Sequence, residues 1–270
     1  MNLKKVYAIY FSPTGTTEKA VMACAEGTGL PYEKIDLTLL KDRQSFHRSF
    51  KKNELVMVGL PVYGGRLPGN LDDFFSGGKG NDTPAVALVI YGNRDYDDAL
   101  IELKIRLEGR GFHVIAGAAF IGQHTFGKNI AKGRPDTRDL EIAKDFGKKT
   151  LNAIEKATPG KLMVKGNYPY IARGFNPAAR GPLLANVNII TMESCTHCGL
   201  CAENCPWGAI DLNDFEVINS SKCFLCSRCI KNCPVSAKKT KSDEKTLAFM
   251  QEFEKRFSVI HKEPELFLPQ

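Results

Sequence analysis

Eight of the nine cysteines lie between residues 195 and 233, in two copies of one unit. CTHCGLCAENCP carries Cys195, Cys198, Cys201 and Cys205, and CFLCSRCIKNCP repeats each position 28 residues later as Cys223, Cys226, Cys229 and Cys233. Thiolates are soft donors, and such density in a chain with no evident secretory leader reads as metal binding rather than a disulfide framework. Paired C-x2-C units also suit tetrahedral zinc. Zinc leaves unexplained the third cysteine at the same spacing, the fourth before a proline, and the duplication. Two iron–sulfur cubanes use all eight. The ninth, Cys24, stands alone in VMACAEG and reads as a small core residue.

A second stretch with chemical potential is FSPTGTTEKA, residues 11–20, which follows the apolar run VYAIY. Hydroxyls surround one glycine, and no cation comes before Lys19. The chain lacks both the G-x-x-x-x-G-K-[ST] nucleotide loop and the G-x-G-x-x-G dinucleotide fingerprint. What remains, S-x-T-G-x-T between a strand and a helix, can satisfy a terminal phosphate dianion with backbone N–H groups and hydroxyls alone.

These groups need a scaffold. Apolar runs alternate with helical stretches through the first 150 residues, the signature of a parallel α/β sheet. Strands are expected at 5–11, 32–37, 54–63, 84–92 and 113–122, and helices at 16–27, 97–111 and 136–157. Residues 159–188 lose every acidic group and read as a basic linker, with Tyr168, Tyr170, Ile171 and Phe175 available to dock it. After the cysteines, Leu247, Met250, Phe253, Phe257 and Ile260 recur at helical spacing behind an expected N-cap at Ser242.

The duplicated C-x2-C-x2-C-x3-C-P run resembles the bacterial two-cluster ferredoxins, in which the fourth cysteine of each run ligates the other cluster. The resemblance implies one 4Fe-4S cluster on Cys195, Cys198, Cys201 and Cys233 and a second on Cys223, Cys226, Cys229 and Cys205. Trp207, after the first Cys-Pro, has either a cluster-packing or a core role, and Ser236 departs from Gly208 of the first copy. The loop Ser12-Pro13-Thr14-Gly15-Thr16-Thr17 is similar to that of the flavodoxins. This implies, over residues 1–158, a doubly wound sheet of order 2-1-3-4-5 with FMN at the carboxyl ends of the strands. Two further loops then border the flavin: Pro61 to Gly69, with Tyr63, Gly64 and Gly65, and Tyr91 to Asp98, with Gly92, Asn93, Arg94 and Tyr96. Tyr63 and Tyr96 offer rings to stack on the isoalloxazine, and the peptide near Gly64-Gly65 could reorient toward flavin N5. Arg66 and Arg94 are either offsets to the phosphate charge or solvated loop residues. His124 has either a site role or a loop hydrogen bond. The whole resembles the flavodoxin–ferredoxin fusion proteins of anaerobes, the EFR1-type family.

The formal charge of +7 is spread along the chain, at +4 over 1–160, +4 over 161–190, 0 over 191–240 and −1 over 241–270, with no basic-aromatic groove to suggest nucleic acid. No apolar run is long enough for a membrane span. The expected division is a flavodoxin-like domain at 1–158, the linker at 159–188, a small α+β ferredoxin domain at 189–240, and a packing helix and tail at 241–270. The expected function is a cytoplasmic electron carrier that couples one-electron clusters to a one- or two-electron FMN and works with a redox partner protein, a ferredoxin-like donor or an acceptor reductase. The alternative is an FMN-dependent reductase of a small molecule. Shielding of both flavin faces favours the carrier, and one open face favours the reductase.

Overall fold

The computed structural model describes residues 3–155, 162–180 and 184–268. In chain order the first part runs β1 (Lys5–Tyr10), α1 (Thr16–Gly27), β2 (Tyr32–Asp36), α2 (Leu40–Ser45), β3 (Arg48–Ser49), β4 (Glu54–Pro61), α3 (Asp72–Ser76), β5 (Gly78–Lys79), β6 (Thr83–Tyr91), α4 (Ala99–Glu108), β7 (Phe112–Ile121) and α5 (Thr137–Glu155). The main sheet has the order β2-β1-β4-β6-β7, all parallel. Counting these five strands along the chain gives 2-1-3-4-5, the flavodoxin-like order. The domain boundary expected at residue 158 lies outside the described residues.

Period-2 alternation divides each central strand between two cores. Tyr7, Ile9, Val56, Val58 and Leu60 face one, together with Leu100, Leu103 and Leu107 of α4. Val6, Ala8, Leu55 and Met57 face the other, against Val21 and Cys24 of α1 and Phe146 of α5. Both faces are covered, which is why β4 reads as near-continuous apolar sequence. Gly59 of β4 sets the depth of α1, because a Cβ there would lie 2.1 Å from Val21 Cγ2. The close approach holds the helix start beside the strand ends.

The second part contains β8 (Asn188–Thr191), α6 (Leu200–Glu203), α7 (Arg228–Lys231), β9 (Lys238–Lys241), α8 (Glu244–Ser258) and β10 (Glu265–Phe267). Strands β8 and β9 pair antiparallel, and the two cysteine runs lie between them. The sequence duplication is also conformational. Left-handed backbone recurs at His197 and Leu225, at Gly199 and Ser227, and at Gly208 and Ser236. Ser236 thus takes the conformation of the glycine it replaces.

The C-terminal segment returns to the first domain. The N-cap of α8 is Asp243, not Ser242: its Oδ1 accepts from Thr246 N at 2.8 Å, and its Oδ2 accepts from Asn186 Nδ2 at 2.6 Å. Strand β10 then adds antiparallel to β7, an edge strand that three residues of sequence do not announce. The expected apolar stripe of α8 is only partly covered, with Leu247 and Ile260 exposed.

Asp98 docks the linker. Buried before α4, it accepts from Asn167 N and Nδ2 at 2.8 and 2.9 Å and from Ile171 N and Ala172 N, both at 2.7 Å. Burial pushes its carboxyl up, but the converging N–H donors outweigh that and hold it below the usual carboxylate range. A carboxyl depressed on folding gives stability that is complete above its unfolded pKa, about 3.9, and is lost as pH falls through the lower folded value. Amide exchange at Ile171 and Ala172, corrected for intrinsic rate, should therefore accelerate over that acid window. Asp98→Asn should show the faster exchange already at neutral pH.

Candidate functional site

At the carboxyl ends of the parallel strands lies a cavity of about 480 Å3, within the range of about 300–1,000 Å3 usual for small-molecule sites. The loop after β1 forms one wall through Thr14, Thr16 and Thr17. Gly15 caps α1 with φ +83°, and the first-turn N–H groups have no intrahelical acceptors, Glu18 N being taken by Ser12 Oγ. Thr17 Oγ1 is buried and has no partner among the described residues, as expected of a donor kept for a ligand.

The other expected residues separate into two groups. Pro61, Tyr63, Gly64, Gly65, Gly92 and Arg94 line the cavity with the threonines. Ser12, Asn93 and Tyr96 do not. Ser12 is buried and serves the loop itself: its Oγ accepts from Glu18 N at 3.1 Å while its N donates to Thr38 Oγ1 at 2.9 Å. Asn93 holds the end of α8, donating from Nδ2 to Phe257 O and Ile260 O. Tyr96 is fully buried against Tyr91 and donates its hydroxyl to Glu265 Oε2 at 2.7 Å. It cannot stack on a ligand, because its ring packs against Tyr91 and Lys165 and its hydroxyl is bound to Glu265 of β10.

Side chains from α8 line the cavity as well. Phe249, Met250 and Phe253 of α8 line the cavity, with the Phe253 ring 5.3 Å from that of His124. His124 combines its two expected roles. It lines the cavity while Nδ1 accepts from Phe126 N and Gly127 N, and burial lowers its pKa to about 4, keeping it neutral. Arg66 turns away, donating to Glu102 Oε2 at 2.6 Å and stacking on Tyr170 at 3.7 Å. Arg94 pairs with Asp97. The Gly64 carbonyl accepts from Gly174 N at 3.2 Å, so any reorientation of that peptide must break a linker contact.

The cysteines assemble in two crossed sets. Cys195, Cys198, Cys201 and Cys233 line one small cavity, with the buried Lys238 beside them. Backbone Ala237 N donates to Cys233 Sγ at 3.1 Å, and Ala209 N makes the equivalent 3.2 Å bond to Cys205 Sγ. Burial lowers the acidity of Cys226 and Cys229, and the Cys205 and Cys223 thiols add to it, with Cys229 pushed up to about 12. Burial that disfavours the Cys226 and Cys229 thiolates is offset when a cationic centre compensates them. The donor set fits a cluster for that reason.

The second set adjoins the first cavity, a placement no spacing rule contains. Phe224 and Leu225, between Cys223 and Cys226, line it, and Cys226 packs on the same core as Tyr63. Burial pushes the Tyr63 phenol up, and the Cys226 and Cys223 thiols act in the same direction. Trp207 is buried and stacks on Phe224 with centroids 4.4 Å apart. Two arginines clasp the halves reciprocally. Arg43, 1 % exposed, donates to Pro206 O at 2.7 Å, to Thr38 O at 2.8 Å and to Asp73 Oδ2 at 2.9 Å. Arg228, between two cluster cysteines, donates to Pro13 O of the phosphate loop at 3.0 Å. Arg180 also lines the cavity, its buried Nε without a partner among the described residues.

Residues 194–237 match the family model of the 4Fe-4S dicluster domain. No curated protein sequence matches the chain. Among solved structures, a flavodoxin from the domain Archaea is similar at 15 % identity, covering 56 % of this chain and 99 % of that one, with a TM-score of 0.39. Oxidised flavodoxin 1 from Bacillus cereus is similar at 18 % identity over 53 % of this chain and 95 % of its own, TM-score 0.36. Rubredoxin oxygen:oxidoreductase from the anaerobe Desulfovibrio gigas is similar at 17 % identity over 57 % and 37 %, TM-score 0.39. The chain thus joins a flavodoxin-like sheet to a dicluster ferredoxin-like region, and among the described residues no helix is long and apolar enough to cross a membrane.

Arg43→Ala leaves the carbonyls of Thr38 and Pro206 without donors in a buried seam. Denaturant unfolding should show a loss of about 3 kcal/mol or more. Arg43→Lys should recover only part of it, since an ammonium cannot reproduce the guanidinium fork.

Proposed function

We propose that the protein is an electron-transfer protein in which FMN and two 4Fe-4S clusters exchange electrons within one chain. The carrying observation is that one cavity is lined both by the phosphate-type loop, through Thr14, Thr16 and Thr17, and by the Cys223–Cys226 loop, through Phe224 and Leu225. Bound FMN would supply interconversion between one- and two-electron chemistry, and the clusters one-electron transfer. The chain's own residues do the rest. Thr14, Thr16 and Thr17 hold the phosphate by hydroxyl and N–H donation. Tyr63, Met250 and Phe253 line the cavity and offer it an aromatic and apolar surface. Crossed ligation by Cys205 and Cys233 fastens the two cluster sites together.

Apolar lining from both Tyr63 and α8 supports a carrier serving a redox partner protein over a reductase of small molecules. The second aromatic contribution comes from α8 rather than from Tyr96. The same reading keeps the protein in a reducing, cytoplasmic setting and divides the chain near residues 158, 188 and 240.

Anaerobic assembly should give about eight iron and eight acid-labile sulfides per chain, and the extracted flavin should be FMN. Stoichiometric zinc without sulfide, or FAD alone, would contradict the reading. Thr14→Ala together with Thr16→Ala should weaken FMN binding, each lost donor to the charged acceptor being worth about 1.5–3 kcal/mol. In single-turnover mixing, a small one-electron iron–sulfur protein should exchange electrons faster than quinones or nitroaromatics. Rapid, saturable oxidation by one small molecule would favour the reductase.

A further inference from the structure

The duplicated sequence makes the two cysteine sets look interchangeable, but their surroundings are not. Phe224 and Leu225 of one set form wall of the flavin-type cavity, and Cys226 packs into the main core of the sheet domain. Among the described residues, the other set lines neither that cavity nor that core. Its cavity is lined only by residues between 195 and 238, and Cys198 is exposed, as is Leu200 beside it.

We propose that the two sites have a fixed order: Cys205, Cys223, Cys226 and Cys229 hold an inner cluster that exchanges electrons with the flavin, and Cys195, Cys198, Cys201 and Cys233 hold an outer cluster that meets the external partner. The inference rests on the function proposed above and adds a direction to it. The partner class is a one-electron iron–sulfur protein. For each two-electron reduction of the flavin, two partner molecules are each oxidised once. With clusters and flavin bound, electrons would pass singly through the outer and then the inner site, and the flavin would take one proton from solvent for each electron pair. Oxidation of the flavin reverses each step.

The seam supports this order. The peptide after Cys205, in the first repeat, is held by Arg43 through Pro206 O. Arg228, flanked by Ser227 and Cys229, holds the phosphate loop through Pro13 O. The inner site is therefore fixed to the flavin domain from both repeats, while the outer site keeps its edge in water.

The test uses the full chain with both clusters assembled anaerobically, stripped of FMN and then titrated with it. Cys226→Ser and Cys198→Ser each retain an oxygen ligand, and identify which low-temperature paramagnetic resonance signal of the reduced protein belongs to which set. Restoring FMN should shift the signal marked by Cys226→Ser and leave the one marked by Cys198→Ser unchanged. A shift of the outer signal alone, of both equally, or of neither overturns the order. Where either variant fails to assemble, iron loss from the unmodified protein to an aqueous ferrous chelator decides. Two phases are expected, with FMN slowing only the later one, and any other pattern overturns the order. FMN that does not rebind, read by its fluorescence, overturns the flavin reading and the order together, whereas FMN that rebinds with the wrong signal response overturns the order alone.

Discussion

The seam between the sheet domain and the cysteine-rich region depends on a buried guanidinium. Arg43 is placed by α2 at the carboxyl edge of the sheet, where burial disfavours its charge and Asp73 compensates. Its remaining donors serve main-chain carbonyls from both sides, including Pro206 directly after Cys205. Removing a charge from water is costly unless every donor is satisfied, so the seam tolerates few alternative arrangements. Around it, Trp207, Phe224 and Phe11 interlock by edge and stacked contacts, adding apolar area to the polar clasp.

That seam explains how a phosphate-type loop can lack a cation. The loop's own contribution is the start of α1 with its hydroxyls. Positive charge arrives from elsewhere in the chain: Arg228 bonds the loop backbone, and Arg180 lines the same cavity. Neither is near the loop in sequence. The electrostatics of the cavity therefore depend on the cysteine region being docked, so that under the proposed function flavin affinity and docking would be thermodynamically linked.

Local pattern predicted what local physics controls. The apolar runs located the five parallel strands to within a residue or two, and TTEKAVMACAEG is α1 from first residue to last. The resemblance to the bacterial dicluster run grouped Cys233 with Cys195, Cys198 and Cys201, and these four line one small cavity. Tyr96 shows where such reading ends. An aromatic at a strand end has the same sequence signature whether it faces a ligand or the interior, and its partner Glu265 lies 169 residues away. Phe253 shows the converse: α8 reads as an ordinary amphipathic helix, and only the return of β10 to the sheet edge brings that helix across the cavity. Arg228 and Phe224 were hidden among cysteines whose ligand role accounted for the whole segment.

The central claim is spatial: one cluster sits against the flavin cavity and the other away from it. Crystals of the flavin-loaded protein grown without oxygen, with diffraction recorded on both sides of the iron absorption edge, test it directly. The account predicts two compact iron centres, one beside Tyr63 and Phe224 and one beside Lys238 and Cys198. Iron centres both remote from Tyr63, or a cysteine region detached from the Arg43 seam, would contradict it.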